Sequence, residues 1–135
     1  MNYCTKQDLI DRFGENELVQ LTDRIGTGLI DDAVINQAIA DAAAEIDNYI
    51  VKYLPLSAVP AGLVRIACDI ARFYLYDDAV IDIVEKRYDG ARHFLEMVAK
   101  GQASLGVDIS GNIPAENNVV LMQSDGSDFS RYKIY

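Results

Sequence analysis

The sequence predicts an all-α fold, a bundle of three long and two short helices around a buried central helix. The central helix is predicted at residues 60–76, where apolar residues recur on nearly every side of a helical wheel. A helix that is apolar nearly all round is normally a buried one. Two other segments carry apolar residues at alternating intervals of four and three, the pattern of helices that pack along one seam. The remaining helices are therefore expected to surround the central one.

The first two helices are predicted to be short. Thr5 is a credible N-cap with Asp8 three residues later, which is the spacing of a capping box. Gly14 is expected to end this helix, and a second one is predicted at residues 15–21 with Leu18 and Leu21 directed to the core.

The segment that follows, residues 22–34, resembles a calcium-binding loop in part. Asp23 and Gly28 occupy the first and sixth positions of that pattern, but Ile25 and Val34 stand where oxygen ligands are required. The alternative is a glycine-rich turn in which Asp31 caps the next helix. The two departures favour the turn.

Two long helices are predicted from their apolar seams. The first spans residues 32–54 and ends before Pro55; the second is capped by Asp77 or Asp78 and ends at Gly101. The first seam consists of Ile35, Ile39, Ala42, Ile46, Tyr49 and Tyr53, and the second of Ile81, Val84, Tyr88, Ala91, Leu95 and Val98.

Composition narrows the class of protein. The chain has 135 residues, half of them hydrophobic, and a formal net charge of −9, with 12 basic residues against 21 acidic ones. Such a net charge argues against direct binding of nucleic acid, because the binding of phosphates depends on Lys and Arg. We expect a soluble, cytoplasmic protein, because the sequence has no membrane-span-length apolar run and no signal peptide. Cys4 and Cys68 are expected to be reduced thiols.

Candidate catalytic chemistry is sparse. The single histidine, His93, is interpreted as a surface residue, and the sequence contains no phosphate loop, CxxC pair or HExxH motif, so neither an enzyme nor a cofactor is predicted. The best polar group is the stripe Arg65, Asp69 and Arg72 on the central helix. Its i, i+4, i+7 spacing lets both arginines reach the aspartate, as a structural ion pair or as a subunit contact.

The composition changes after the last helix, which divides the chain into a helical bundle domain at 1–106 and an extended or disordered tail at 107–135. The tail contains a short apolar run, VVLM, at residues 119–122 and ends in FSRYKIY. Exposed apolar and aromatic groups of this kind are a hazard unless a partner covers them. The predicted partner contacts in the tail are Phe129, Arg131, Tyr132 and Tyr135.

The sequence resembles the small head-to-tail connector, or head-completion, proteins of Mu-like phages and prophages. The pieces that carry the resemblance are DLIDRFGENELVQLTDR at 8–24, the IGTGLIDDAV turn, AEIDNYIVKYLPL at 44–56, VPAGLVRIACDIARFYLYDD at 59–78, VEKRYDGARHFLEMVAKGQASLG at 84–106 and the final DFSRYKIY.

The resemblance implies a non-catalytic virion protein whose copies form a ring between the portal and the tail. Its expected partners are further copies of itself and the portal and tail proteins, without sequence-specific nucleic acid or membrane. The expected location is the bacterial cytoplasm during assembly and then the head–tail junction. The alternative is a small acidic binding protein, either a DNA mimic or an inhibitor of a host nucleic-acid-binding enzyme. A mimic should present one continuous acidic face, whereas an adaptor should spread its acids around the bundle.

Overall fold

Five α-helices make up the architecture in a computed structural model that describes residues 1–106. They are α1 at Lys6–Phe13, α2 at Glu15–Thr22, α3 at Asp32–Tyr49, α4 at Ala61–Tyr76 and α5 at Asp82–Ala99, with 3-10 turns at Val51–Tyr53 and Asp77–Ala79. The described residues contain no strand. The predicted all-α class, with three long and two short helices, is confirmed.

Helix α4 lies at the centre and packs against each of the other four helices. Leu63, Ile66 and Ile70 on it are at most 1% exposed, and Asp69 is the one charged residue in its buried set. Burial of each large apolar side chain contributes roughly 1.5–3 kcal/mol. The predicted central position of this helix is confirmed.

The capping box at the start of α1 is confirmed. The Thr5 side chain accepts a hydrogen bond from the Asp8 amide, and the Asp8 carboxylate accepts one from the Thr5 amide. Gly14, with a φ of 90°, ends α1 and begins α2. This tight corner lets Leu9 and Leu18 both reach the core, where neither has any exposed surface.

Helix α3 is shorter than predicted. It ends at Tyr49, and the chain continues as a 3-10 turn in place of the last helical turn of the predicted range. Leu54 is extended, as the residue before a proline prefers to be, so the helix must end before it. The first four seam residues are buried, whereas Tyr49 and Tyr53 are half-buried.

The predicted N-cap of α5 is wrong. Asp77 and Asp78 lie in a 3-10 turn, and the helix begins at Asp82 without a side-chain cap. Ile81, the first residue of the predicted seam, is consequently 48% exposed, although Val84, Ala91, Leu95 and Val98 are buried as expected.

The end of α5 at Gly101 is confirmed. The Gly101 amide donates to the Val98 carbonyl at 3.0 Å and the Gln102 amide to the Met97 carbonyl at 2.8 Å, with Gly101 at a φ of 78°. This pair of bonds is the Schellman motif.

Both cysteines are free thiols in the core, as predicted. Among the described helices, none combines the length and the apolar character that crossing a membrane requires. The division into a bundle and a tail stays a prediction, because residues 107–135 lie outside the described part of the chain.

Candidate interaction site

The predicted stripe on α4 is present, but its ion pairing differs from the prediction. Arg65 Nη1 lies 3.7 Å from Asp69 Oδ2, so that pair forms. Arg72 does not share the aspartate. Its Nε and Nη2 donate to the two carboxylate oxygens of Glu17 at 2.7 and 3.0 Å, and the Phe13 ring centre lies 4.2 Å from its guanidinium carbon.

The physical reason is the geometry of the partner. Glu17 on α2 offers both oxygens in the plane of the guanidinium, and such a bidentate pair is stronger and more specific than a single contact along one helix. Burial alone would lower the pKa of Arg72, but the hydrogen bonds and the charge of Glu17 outweigh it and raise the pKa. Arg72 is therefore a structural residue that joins α2 to α4.

Asp69 lies in the wall of a cleft of about 560 Å³, here called the Asp69 cleft. The cleft runs between α1, α4 and α5 and is lined by Arg12, Phe13, Arg65, Ile66, Asp69, Arg87, Gly90, Ala91 and Phe94. Three arginines thus face a single carboxylate. Within residues 1–106, neither Arg12 nor Arg87 forms an ion pair with a carboxylate.

The electrostatics of the cleft are dominated by burial. Asp69 is 7% exposed and accepts no hydrogen bond from any described residue. Desolvation raises the pKa of its carboxyl even though the charges of Arg65, Arg87 and Arg12 act to lower it. The cleft therefore holds more positive charge than its own carboxylate can neutralise.

A second charged surface lies on α3 and is called the Asp41 face. Asp41, Ala44, Glu45 and Asn48 form it and line one shallow groove together with Tyr74. Glu45 accepts hydrogen bonds from the hydroxyls of Tyr74 and Tyr88, the latter at 2.9 Å. Burial and the Glu45 carboxylate raise the pKa of Tyr88 to about 12. Glu45 is thus held by neutral donors, and it forms no ion pair with any residue in the described range 1–106.

The loop between α2 and α3 is ordered by hydrogen bonds from its own residues. The Asp23 carboxylate accepts from the amides of Thr27 and Gly28 at 2.9 and 2.7 Å, and these bonds lower the pKa of Asp23. Asp31 accepts from the Ala33 amide and caps α3, which confirms the turn interpretation of this segment.

This loop displays two large apolar side chains. Ile25 is 86% exposed, the highest value among the large apolar residues of the described range, and Leu29 is 66% exposed. Gly26 and Gly28 adopt positive φ values of 79° and 77°, which fix the sharp path of the loop. Such a loop offers two apolar side chains, held in a fixed position, to a protein partner.

Comparison with known proteins identifies the family. The model of the family described as bacteriophage Mu, Gp36 matches residues 3–124 of the chain. The chain belongs to the Mu Gp36 family. It is 38% identical over 135 residues to gene product J of Escherichia phage Mu, with 97% of this chain and 96% of the relative covered. It is 34% identical over 131 residues to the Mu-like prophage FluMu protein gp36 of Haemophilus influenzae, covering 96% and 93%.

The Mu Gp36 match places the described surfaces inside the family region. All five helices, the Asp69 cleft, the Asp41 face and the loop with Ile25 lie within residues 3–124, and the match continues past Gly106. The predicted tail contacts Phe129, Arg131, Tyr132 and Tyr135 lie outside both the matched range and the described residues.

Several residues of these surfaces escaped the sequence analysis. Arg12 and Arg87 have no special spacing, and Glu17 is one of two acids in the first turn of α2. His93 is exposed on α5, as predicted from the sequence.

Proposed function

We propose that this member of the Mu Gp36 family is a structural protein of the virion, whose copies form a ring that joins the portal to the tail. Its partners would be further copies of itself, the portal and the tail. It would be made in the bacterial cytoplasm and end at the head–tail junction. The role is mechanical and requires no catalytic residue and no cofactor.

The observation that carries this proposal, within a family of phage proteins, is the loop at residues 23–31. A monomer gains nothing from holding Ile25 and Leu29 in water on an internally hydrogen-bonded loop. A preformed loop binds a partner with a smaller loss of conformational entropy than a mobile one, so its order favours assembly.

The distribution of acids supports an adaptor over a DNA mimic. Exposed acids occur on the four helices that surround α4 rather than along one side, for example at Asp11, Glu15, Asp41, Asp82 and Glu85. A mimic of nucleic acid needs a continuous acidic strip that imitates a row of phosphates. The spread of acids does not offer one among the described residues.

The proposal is tested by deleting the gene from its phage and supplying the chain from a plasmid. We expect the deletion to yield DNA-filled heads and separate tails that do not join, and the wild-type chain to restore joined particles that contain it. Electron microscopy of purified particles should place the protein at the portal vertex. Joined, infectious particles without the protein would contradict the proposal.

We also propose that residues 107–135 hold the adaptor to a partner through Phe129, Arg131, Tyr132 and Tyr135. A chain that ends at Gly106 should keep the helicity and melting temperature of the full protein but fail to join particles. A truncated chain that assembles normally would contradict the partner contact, whereas one that unfolds would contradict the predicted domain boundary.

A further inference from the structure

The Asp69 cleft is a local region of positive charge on an acidic protein. The whole chain has a formal net charge of −9, so its copies repel each other at long range. In the cleft the sign is reversed, because Arg12, Arg65 and Arg87 surround the single carboxylate of Asp69. A contact that uses such a region would offset this repulsion when copies of the protein pack side by side.

The Asp41 face has the complementary charge. Its two carboxylates, Asp41 and Glu45, are one helical turn apart, and within residues 1–106 they accept hydrogen bonds only from neutral groups. The Asp41 face is also sterically accessible, because Ala40 and Ala44 beside the two carboxylates are exposed and have short side chains. Among the described residues, two acids without an ion pair on the Asp41 face thus match two arginines without an ion pair in the cleft.

The two surfaces point to different sides of the bundle. Tyr74 contacts the Asp41 face, whereas Asp69 on the same helix contacts the cleft. Five residues along an α-helix rotate the side-chain direction by about 140°. The cleft and the face of one copy are therefore separate surfaces, and a contact between them in two copies would be heterologous, the type that generates closed rings or open filaments.

We propose that the Asp69 cleft of one copy binds the Asp41 face of the next copy, with Arg87 and Arg12 pairing with Asp41 and Glu45. This contact rests on the proposed ring-forming function and specifies the surfaces that the ring uses. Phe13 and Phe94 in the cleft wall exclude water from the ion pairs, which strengthens them.

A charge exchange in the full-length chain tests the contact in the phage that lacks its own copy of the gene. The variants are Arg87→Glu, Asp41→Arg and the double variant with both changes. Lys100→Glu and Asp78→Arg are matched controls, because they make the same charge changes at exposed positions outside both surfaces. Arg12→Glu serves as a second cleft variant, and a thermal melt of each purified protein checks its fold.

We expect each single reversal to lower the yield of joined particles at least about tenfold, because like charges then meet at the contact. The double variant should return to within about threefold of wild type, since it re-forms the pair with exchanged signs. The two controls should behave as wild type.

Other outcomes overturn the contact. If folded single variants join particles as wild type does, the cleft is not used; if the single variants fail and the double variant is not rescued, the occupant of the cleft is not the Asp41 face. When the wild-type protein is present in particles, these results leave the ring function standing. If the wild-type protein is itself absent from joined particles, the proposed function fails and the contact fails with it.

Discussion

Two ionic sites on α4, only three residues apart, differ in almost every physical respect. At the first, Arg72 and Glu17 make a bidentate pair at 2.7 and 3.0 Å, and their side chains are 12% and 23% exposed. At the second, Arg65 approaches Asp69 only to 3.7 Å and is 58% exposed. The first site is closed by its own partner, whereas the second is open to a cleft.

The two sites differ in whether the ionic partner or burial has the larger effect on the pKa of the buried group. Glu17 outweighs burial and raises the pKa of Arg72, so the ionised pair is the stable state of that site. Burial outweighs the arginines and raises the pKa of Asp69, so the ionised carboxylate is a cost to the folded protein. A closed pair of this kind stabilises the fold, and the open one leaves charge available for binding.

The largest effect is expected when the closed site is broken. Glu17→Ala leaves the Arg72 guanidinium largely buried without its partner, which should lower the free energy of unfolding by about 3 kcal/mol. Chemical denaturation of the purified protein measures this loss. Glu15→Ala is the control, because Glu15 is an exposed acid in the same first turn of α2. If the two variants lost the same unfolding free energy, the Arg72–Glu17 pair would contribute no more to stability than an exposed glutamate does.

A smaller effect of opposite sign is expected at the open site. Asp69→Asn removes a carboxyl whose pKa is raised in the folded state by burial, so the variant should be more stable than wild type at pH 7. The contribution of Asp69 to stability is fully present below the pKa of the unfolded state. It is lost as the pH rises through the higher folded-state pKa.

The measurement for Asp69→Asn is the difference in unfolding free energy between variant and wild type from pH 3 to pH 7. The difference should be near zero at the acid end and grow in favour of the variant as the pH rises. A difference that is constant, or that favours wild type at pH 7, would contradict the dominance of burial at this site.

Arg65→Ala should change stability still less. Its guanidinium is more than half exposed and 3.7 Å from Asp69, and exposed ion pairs of this kind contribute below about 1 kcal/mol. Thermal melts at low and high salt measure the change. A loss as large as that of Glu17→Ala would contradict the weaker contribution of the Arg65–Asp69 pair to stability.

The smallest change in stability is expected at Ile25 and Leu29 in the loop, because both side chains are largely exposed. Ile25→Ser combined with Leu29→Ser should leave the melting temperature within about 1 °C, because both side chains are already in water. The same variant should fail to form joined particles if the loop is a contact. A variant with normal assembly would remove the loop from the interface.

Local features of the fold could be predicted because their causes lie within a few residues. The capping box of Thr5 and Asp8 and the helix end at Gly101 each depend on a hydrogen bond between near neighbours in the chain. The central position of α4 was equally predictable, since a helix that is apolar on nearly all sides must be covered. The start of α5 was not predicted correctly, because the two candidate caps, Asp77 and Asp78, lie in a 3-10 turn and neither caps the helix.

The sequence by itself therefore determined the number and order of the helices and most of their buried faces, because these follow from the spacing of apolar residues. The resemblance of several segments to Mu-like phage proteins indicated the family. The tertiary structure decided which charges meet. Arg72 pairs with Glu17, 55 residues away, and not with Asp69 on its own helix. Arg12 and Arg87 line the Asp69 cleft from two other helices. Spacing along one helix names the possible partners of a charge, but the choice depends on the packing of helices, which sets the distance, the bidentate geometry and the access of water.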